Sequence, residues 1–177
     1  MEIRCDAVIP FPRDLVYRTY RDRLPEMLPY LPNVKTIEVE SRKEEGDHVH
    51  LVNIWKGGGD LPKAVQAVLS ESALSWTDHA DWYGDKWECH WRVEPHTFRE
   101  AVSSEGTNFY TEVEGGTRLE IRGEMTLDAK KIRGVPRLLA GKVGRLAEEF
   151  IVKAVQKNLE DVSKSLTRFL EDESKKG

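Results

Sequence analysis

The chain has 177 residues and a formal net charge of −4 at pH 7. This length suits one domain with its own core, because a chain of this size buries about 70% of the surface that its unfolded form exposes. The acidic balance argues against a nucleic-acid-binding module, which is expected to be basic. No run of about 18 apolar residues predicts a transmembrane helix. We expect one domain over residues 1–172 and a frayed tail over residues 173–177.

The N-terminal residues and the cysteines bear on the compartment. Charged residues fall where a secretion signal needs its apolar segment, so the sequence predicts no such signal. Cys5 and Cys89 are too few for a disulfide framework, and we expect them to be reduced thiols. A cytoplasmic protein is the simplest interpretation.

The first part of the chain is predicted to form strands and short helices. Residues 2–9 predict a strand, and Pro12 begins a short helix that runs to Tyr20. Residues 24–31 predict a second short helical segment, which its prolines keep short. Strands are predicted over residues 34–41 and 49–56.

The middle of the chain predicts more strands. A short helical turn is expected over residues 62–69. Alternation then predicts a hairpin over residues 74–93 that turns at Gly84 and Asp85. Further strands are predicted around residues 98–102, 109–113 and 119–127. Tight turns between strands favour antiparallel pairing.

The last part of the chain changes to a helical period. Apolar residues recur at spacings of three and four from about Pro136 to Asp172, which predicts one long amphipathic helix. The expected fold class is therefore α+β, with a curved antiparallel sheet of about seven strands around a long C-terminal helix. Small residues at Ala140, Gly144 and Ala147 suggest looser packing at the start of this helix. Close approach of a strand or of another subunit would explain them equally well.

The order of these elements resembles the START-like, or SRPBCC, helix-grip superfamily. The segment Ile9-Pro10-Phe11-Pro12-Arg13-Asp14-Leu15-Val16-Tyr17 resembles its opening, and the segments 115–119, 134–136 and 141–142 resemble an uncharacterised bacterial branch, the DUF2505-type proteins. The resemblance implies a cavity between sheet and helix. Members bind lipids, sterols, polyketides or plant hormones, and some are cyclases or dehydratases.

Four tryptophans in the predicted hairpin form the most unusual local feature. Trp76, Trp82, Trp87 and Trp91 fall on one face of two neighbouring strands and predict an aromatic wall for a flat or apolar ligand. A large aromatic core and a homodimer surface are the alternatives. The other expected ligand-lining residues are Phe98, Phe109, Met125, Ala140, Gly144 and Ala147.

Two carboxylates share the predicted apolar faces. Asp78 and Glu100 would need a partner or a raised pKa if they point inward, and either could then orient a ligand or act as an acid or base. The alternative is irregular pairing that exposes the charge to water. Asn53 and Arg122 are further polar candidates.

The remaining polar features carry weaker signals. His48 and His50 share a strand face, but no closed metal-ligand spacing occurs, so neither a metal nor a cofactor is expected. No nucleophile motif occurs either, which favours a non-enzymatic role. A basic cluster over residues 130–145 suggests transient contact with an anionic membrane, although a solvated helix face would look the same.

Three functions follow from these residues. The first is binding or carriage of a hydrophobic or amphipathic small molecule. The second is a cyclase- or dehydratase-type enzyme that uses an inward carboxylate. The third is an interaction module that dimerises through its aromatic face.

Overall fold

The structure is a computed structural model. It describes residues 1–58, 74–97, 99–128, 131 and 140–176, with the side chains of the C-terminal helix described at 153, at 157 and from 159 onward. The predicted helical turn over residues 62–69 and the region around Pro136 lie outside the described residues.

Seven antiparallel strands form one sheet in the order β1-β7-β6-β5-β4-β3-β2. Strands β2 to β7 follow one another as a meander, and β1 joins the far side of β7, so that β1 and β2 are the two edges. The strands are β1 Glu2–Ile9, β2 Val34–Glu45, β3 His48–Gly57, β4 Ser75–Tyr83, β5 Glu88–Pro95, β6 Val102–Val113 and β7 Gly116–Leu127.

Three helical segments lie within the described residues and accompany the sheet, as the sequence predicts. Helix α1 spans Arg13–Asp22, with Pro12 at its N-cap, and a 3-10 helix spans Leu24–Tyr30 with Pro29 inside it. Helix α2 spans Ala140–Ser174, so it ends two residues beyond the expected end at Asp172. Its 35 residues give a length of about 52 Å. No described helix is long and apolar enough to cross a membrane.

Helices α1 and α2 pack on one face of the sheet, which we call the inner face. The α1 residue Tyr17 packs edge-on against Trp82 of β4, and α2 packs its second half against β1 and the 3-10 helix. One row of cross-strand partners on the inner face runs almost the full width of the sheet, and all of its members are buried, including the one polar member, Asn108. That row is Cys5, Ile121, Asn108, Cys89, Trp82 and Val49.

The predicted antiparallel α+β fold is confirmed, but one strand differs from its prediction. The sequence predicts separate strands near residues 98–102 and 109–113, whereas β6 is a single strand of 12 residues. The polar residues between the two predicted strands pair with β7 without a break. Hydrophobic alternation alone does not predict that these polar residues belong to the strand.

The bulky end of α2 anchors the fold. Leu166 and Phe169 are buried in the core. Near the C-terminus, the Arg23 guanidinium donates to Glu173 at 2.8 Å and lies 4.7 Å from the centroid of the Phe169 ring. This contact ties the end of α2 to the start of the 3-10 helix.

Candidate functional site

The tryptophan strands pair in the register that their alternation predicts. Across β4 and β5, Trp82 faces Cys89, Ala80 faces Trp91 and Asp78 faces Val93. All of these residues therefore lie on the inner face, because alternate residues of a strand share a face. The tryptophan side chains of β4 and β5 therefore point towards the helices.

Trp82 is the one of the four tryptophans that packs within the core. Trp82 is 3% exposed and contacts Tyr17, Tyr20 and Tyr110, with ring centroids 5.2, 5.7 and 6.0 Å away. Helix α1 covers Trp82, which leaves little of this ring for a homodimer contact.

Trp87 lies in the turn before β5, whereas its spacing in the sequence predicts a position within the strand. Its φ of 57° is in the left-handed region that bulky residues rarely adopt. The Tyr17 ring at 5.3 Å and the Arg13 guanidinium at 4.3 Å hold its indole in place. Trp87 therefore packs beneath α1, next to Tyr17.

Trp76 and Trp91 are half-buried, as Trp87 is, and lie on the inner face. Trp76 stacks on Trp55 of β3, with ring centroids 5.7 Å apart and planes 16° apart. Trp91 donates its indole N–H to Asn108 Oδ1 at 2.9 Å. These two rings offer partly accessible aromatic surface, as a ligand wall requires.

Two glycines give the Trp91 ring its position. A Cβ atom added to Gly106 would lie 2.5 Å from Trp91 Cζ2, and one added to Gly123 would lie 2.9 Å from the same atom. Both distances are shorter than a carbon–carbon contact allows. The indole of Trp91 therefore lies against the backbones of β6 and β7, where any side chain would displace it.

Asp78 is the carboxylate at the centre of this face. It lies in unbroken register between Asn53 of β3 and Val93 of β5, so the predicted inward position is correct and the alternative of irregular pairing is wrong. Asn53 Nδ2 donates to Asp78 Oδ2 at 3.2 Å. The carboxylate is half-buried, whereas Asn53 is 2% exposed.

The surroundings of Asp78 change its acidity. Burial raises the pKa of Asp78 to about 6, and the donors Asn53 and Trp55 only partly oppose this rise. The Trp55 indole makes no hydrogen bond of standard geometry within the described residues, and Asn53 Oδ1 also lacks a partner there. Burial, and then the charge of Asp78, raises the pKa of Tyr20 as well. A polar cluster with unused hydrogen-bonding capacity thus lies among aromatic rings.

Three predicted site residues lie elsewhere. Glu100 is exposed in the turn before β6, so it is not an inward carboxylate. Phe109 pairs with Glu88 and Glu120 on the opposite face, which we call the outer face. Arg122 also lies on the outer face, where it pairs with Asp6 and Glu120.

The remaining predicted lining residues are only partly described. Met125 is buried on the inner face opposite Ser104. Phe98 lies outside the described residues. Ala140, Gly144 and Ala147 fall in the first turns of α2, where only the backbone is described. Their part in a ligand site stays a prediction.

The histidines lie on the outer face of β3 to β5 or just beyond it. His48 Nε2 and His50 Nδ1 share one oxygen of Asp81, at 2.8 and 2.9 Å. Burial raises the pKa of Asp81, but hydrogen bonds from these histidines outweigh it and hold the pKa below its usual value. Within the described ranges, no three histidine, cysteine or carboxylate side chains are grouped as metal ligands.

Sequence reasoning missed two aromatic residues of the inner face. Trp55 follows Leu51 and Asn53 in the alternation of β3 and could have been found from it. Tyr20 comes from α1 and reaches Trp82 across 62 positions of sequence. No local pattern signals that contact.

No family model matches the chain, and neither does any curated protein. The relation to the DUF2505-type branch therefore stays a hypothesis.

Solved structures match over nearly the whole chain. The Zhui aromatase/cyclase from a Streptomyces species has a TM-score of 0.67 at 15% identity, covering 97% of this chain and 93% of its own. The protein TTHA0849 from Thermus thermophilus has a TM-score of 0.64 at 20% identity, with 94% and 97% covered. A START superfamily protein from Mycobacterium smegmatis has a TM-score of 0.53 at 13% identity, with 97% of each chain covered. At these identities the likeness establishes the helix-grip fold.

Proposed function

We propose that this chain binds a hydrophobic or amphipathic small molecule against the inner face of its sheet, with Asp78 as the polar anchor. The observation that carries the proposal is Asp78 itself, a half-buried carboxylate with a raised pKa beside partly accessible indole rings. A folded protein rarely retains such a group unless it has a partner or a use.

The chemistry of the face suggests the form of the ligand. Trp76 and Trp91 offer aromatic surface for a flat apolar body. Asp78 and the unpaired Asn53 Oδ1 accept hydrogen bonds, whereas Trp55 Nε1 donates one. A hydroxyl group on an aromatic or lipid-like body would satisfy these atoms, since it both donates and accepts.

A matched pair of probes tests the anchor. We expect 2-naphthol to displace the fluorescent probe N-phenyl-1-naphthylamine about tenfold better than its apolar analogue 2-methylnaphthalene, because a hydrogen bond to a charged group contributes about 1.5 to 3 kcal/mol. The variant Asp78→Asn should lose most of this preference. Asp81→Asn is the matched control, since Asp81 lies three residues along β4 on the outer face.

Native mass spectrometry of gently purified protein provides a second readout. A bound apolar compound would support the proposal. Failure of every probe to bind, together with a protein that carries no compound, would contradict it. A Trp76→Ala variant should weaken both naphthalene probes equally, because it removes aromatic surface and leaves Asp78 in place.

We propose catalysis of the cyclase or dehydratase type as the second candidate. It rests on the pKa of about 6 at Asp78, since a general acid or base works best when its pKa lies near the working pH. The aromatase/cyclase among the similar folds adds only an analogy. The test is dehydration of a β-hydroxy ketone to its ultraviolet-absorbing enone and water. Turnover that Asp78→Asn abolishes would favour the enzyme, and no turnover would leave the binding protein.

A further inference from the structure

The two edges of the sheet differ in regularity. Strand β2 pairs with β3 through two register irregularities, one after Val34 and one after Val39. Such irregularities protect an edge strand from pairing with another chain. Strand β1 pairs with β7 without a break from Glu2 to Ile9. The β1 edge is therefore the one suited to accept a further strand.

The hydrogen bonds at the start of β1 show which backbone groups reach that edge. The Met125 N–H donates to the Met1 carbonyl at 2.8 Å, and the Met1 amino group donates to the Met125 carbonyl at 2.6 Å. Bonded and non-bonded pairs alternate along an antiparallel ladder, so odd-numbered β1 residues bond to β7. The residues whose backbone groups point away from β7 are Glu2, Arg4, Asp6 and Val8.

The β1 edge opens onto a cleft of about 510 Å³. Five consecutive β1 residues, 4–8, line it, and residues of α2 that include Ser163 and Thr167 form its other wall. Successive side chains of a strand point to opposite faces, so a cleft lined by consecutive residues meets the strand at its edge. Val8, at 54% exposure, lies at this edge.

We propose that β1 pairs antiparallel with β1 of a second copy of this chain, in a register centred on Cys5, and joins the two sheets edge to edge. The outward-pointing residues of the two strands must face each other, which leaves few registers. A register centred on Arg4 places the Arg4 residues of the two copies opposite each other, and a register centred on Asp6 does the same with the two aspartates. A register centred on Cys5 places Arg4 of each copy opposite Asp6 of the other, which gives two pairs of unlike charge.

This register also uses the whole strand. It pairs Glu2 with Val8 as well, so four residue pairs contribute backbone hydrogen bonds. The Arg4 and Asp6 side chains are 65% and 49% exposed on the outer face, so both can reach across the seam. The ion pairs of Asp6 with Arg118 and Arg122, at 3.5 and 3.6 Å, lie on the same face and would flank the new pairs.

Charge reversal tests the register. Sedimentation velocity should show a concentration-dependent dimer of the wild-type chain. Either Arg4→Asp or Asp6→Arg should weaken it at least tenfold, about 1.4 kcal/mol, because each turns two attractive pairs into two repulsive ones. The double variant should regain wild-type affinity within about threefold, because it restores unlike pairs.

Controls separate pairing from general charge effects. Lys43→Glu makes a charge reversal on the β2 edge and should leave the dimer unchanged. Circular dichroism should show all variants folded, since Arg4 and Asp6 are exposed. A wild-type chain that stays monomeric at about 1 mM, or a dimer indifferent to both single reversals, would overturn the proposal.

Oxidative cross-linking gives a second, independent readout. In this register the two Cys5 residues form a non-hydrogen-bonded pair with Cα atoms about 4.5 Å apart, within disulfide range. Copper(II) phenanthroline would take two electrons from the two thiols, which release two protons as one S–S bond forms. We expect a covalent dimer that Cys5→Ala abolishes and Cys89→Ala retains. A covalent dimer that forms equally well in Cys5→Ala would refute the register.

Discussion

Removing the charge of Asp78 should stabilise the protein at neutral and alkaline pH. Burial raises the pKa of this carboxyl from its ordinary 3.8 to about 6. The folded state therefore binds a proton more tightly than the unfolded state, and keeping Asp78 ionised above pH 6 costs about 3 kcal/mol. The variant Asp78→Asn would carry no such cost, while the amide oxygen of the new side chain could still accept from Asn53. Allowing for imperfect hydrogen bonding, we expect a gain of about 1 to 2 kcal/mol in the free energy of unfolding at pH 8.

Urea denaturation of the wild type and of Asp78→Asn at several pH values measures this effect. The folded pKa is raised, so the wild type should lose stability as pH rises from about 4 to about 6, relative to the variant. The pKa shift changes the difference between the two proteins by about 3 kcal/mol in all. The variant should therefore be about 1 to 2 kcal/mol less stable than the wild type below pH 4, and it should reach its full advantage above pH 7. At pH 8 the variant should melt about 2 to 8 °C higher. A variant less stable than the wild type at pH 8, or a difference independent of pH, would refute the reasoning.

Substitutions at two further positions test the packing of the aromatic side chains on the inner face. Gly106→Ala should destabilise the protein by about 1 to 3 kcal/mol and shift the tryptophan emission, because its Cβ would clash with the backbone of β7 and with the Trp91 ring. Urea denaturation with fluorescence detection measures both effects, and an unchanged midpoint would contradict this packing. Tyr17→Ala should cost about 3 to 5 kcal/mol, because Tyr17 is 2% exposed among three aromatic rings. Tyr17→Phe loses only the hydroxyl that donates to the Glu88 carbonyl at 3.3 Å and should cost less than about 1.5 kcal/mol. Equal losses in the two Tyr17 variants would contradict this account.

Local periodicity was sufficient for much of the site. The alternation of Trp76, Asp78 and Trp82 assigned them to one face, and the register of β3, β4 and β5 keeps them there. Alternation works in these strands because most of their inner residues are apolar, with Asn53 and Asp78 as the polar exceptions.

The same reasoning failed in β6 for a physical reason. Its inner face carries the small or polar residues Gly106 and Asn108, which the Trp91 indole uses for space and for a hydrogen bond. The apolar Phe109 lies on the opposite face. A rule that turns apolar residues inward chooses the wrong face when a neighbouring strand supplies the apolar ring.

The sequence by itself determined the element types, the long C-terminal helix and the inward side of the tryptophan hairpin, because those depend on periods of two and 3.6 residues within one segment. The tertiary structure alone decided which of those tryptophans are enclosed. Tyr17 and Tyr20 cover Trp82 from a helix about 60 residues earlier in the chain, whereas Trp76 and Trp91 stay partly accessible beside Asp78. It also decided the acidity of Asp78, since the pKa of a carboxyl depends on the neighbours that remove it from water, and those neighbours come from separate strands.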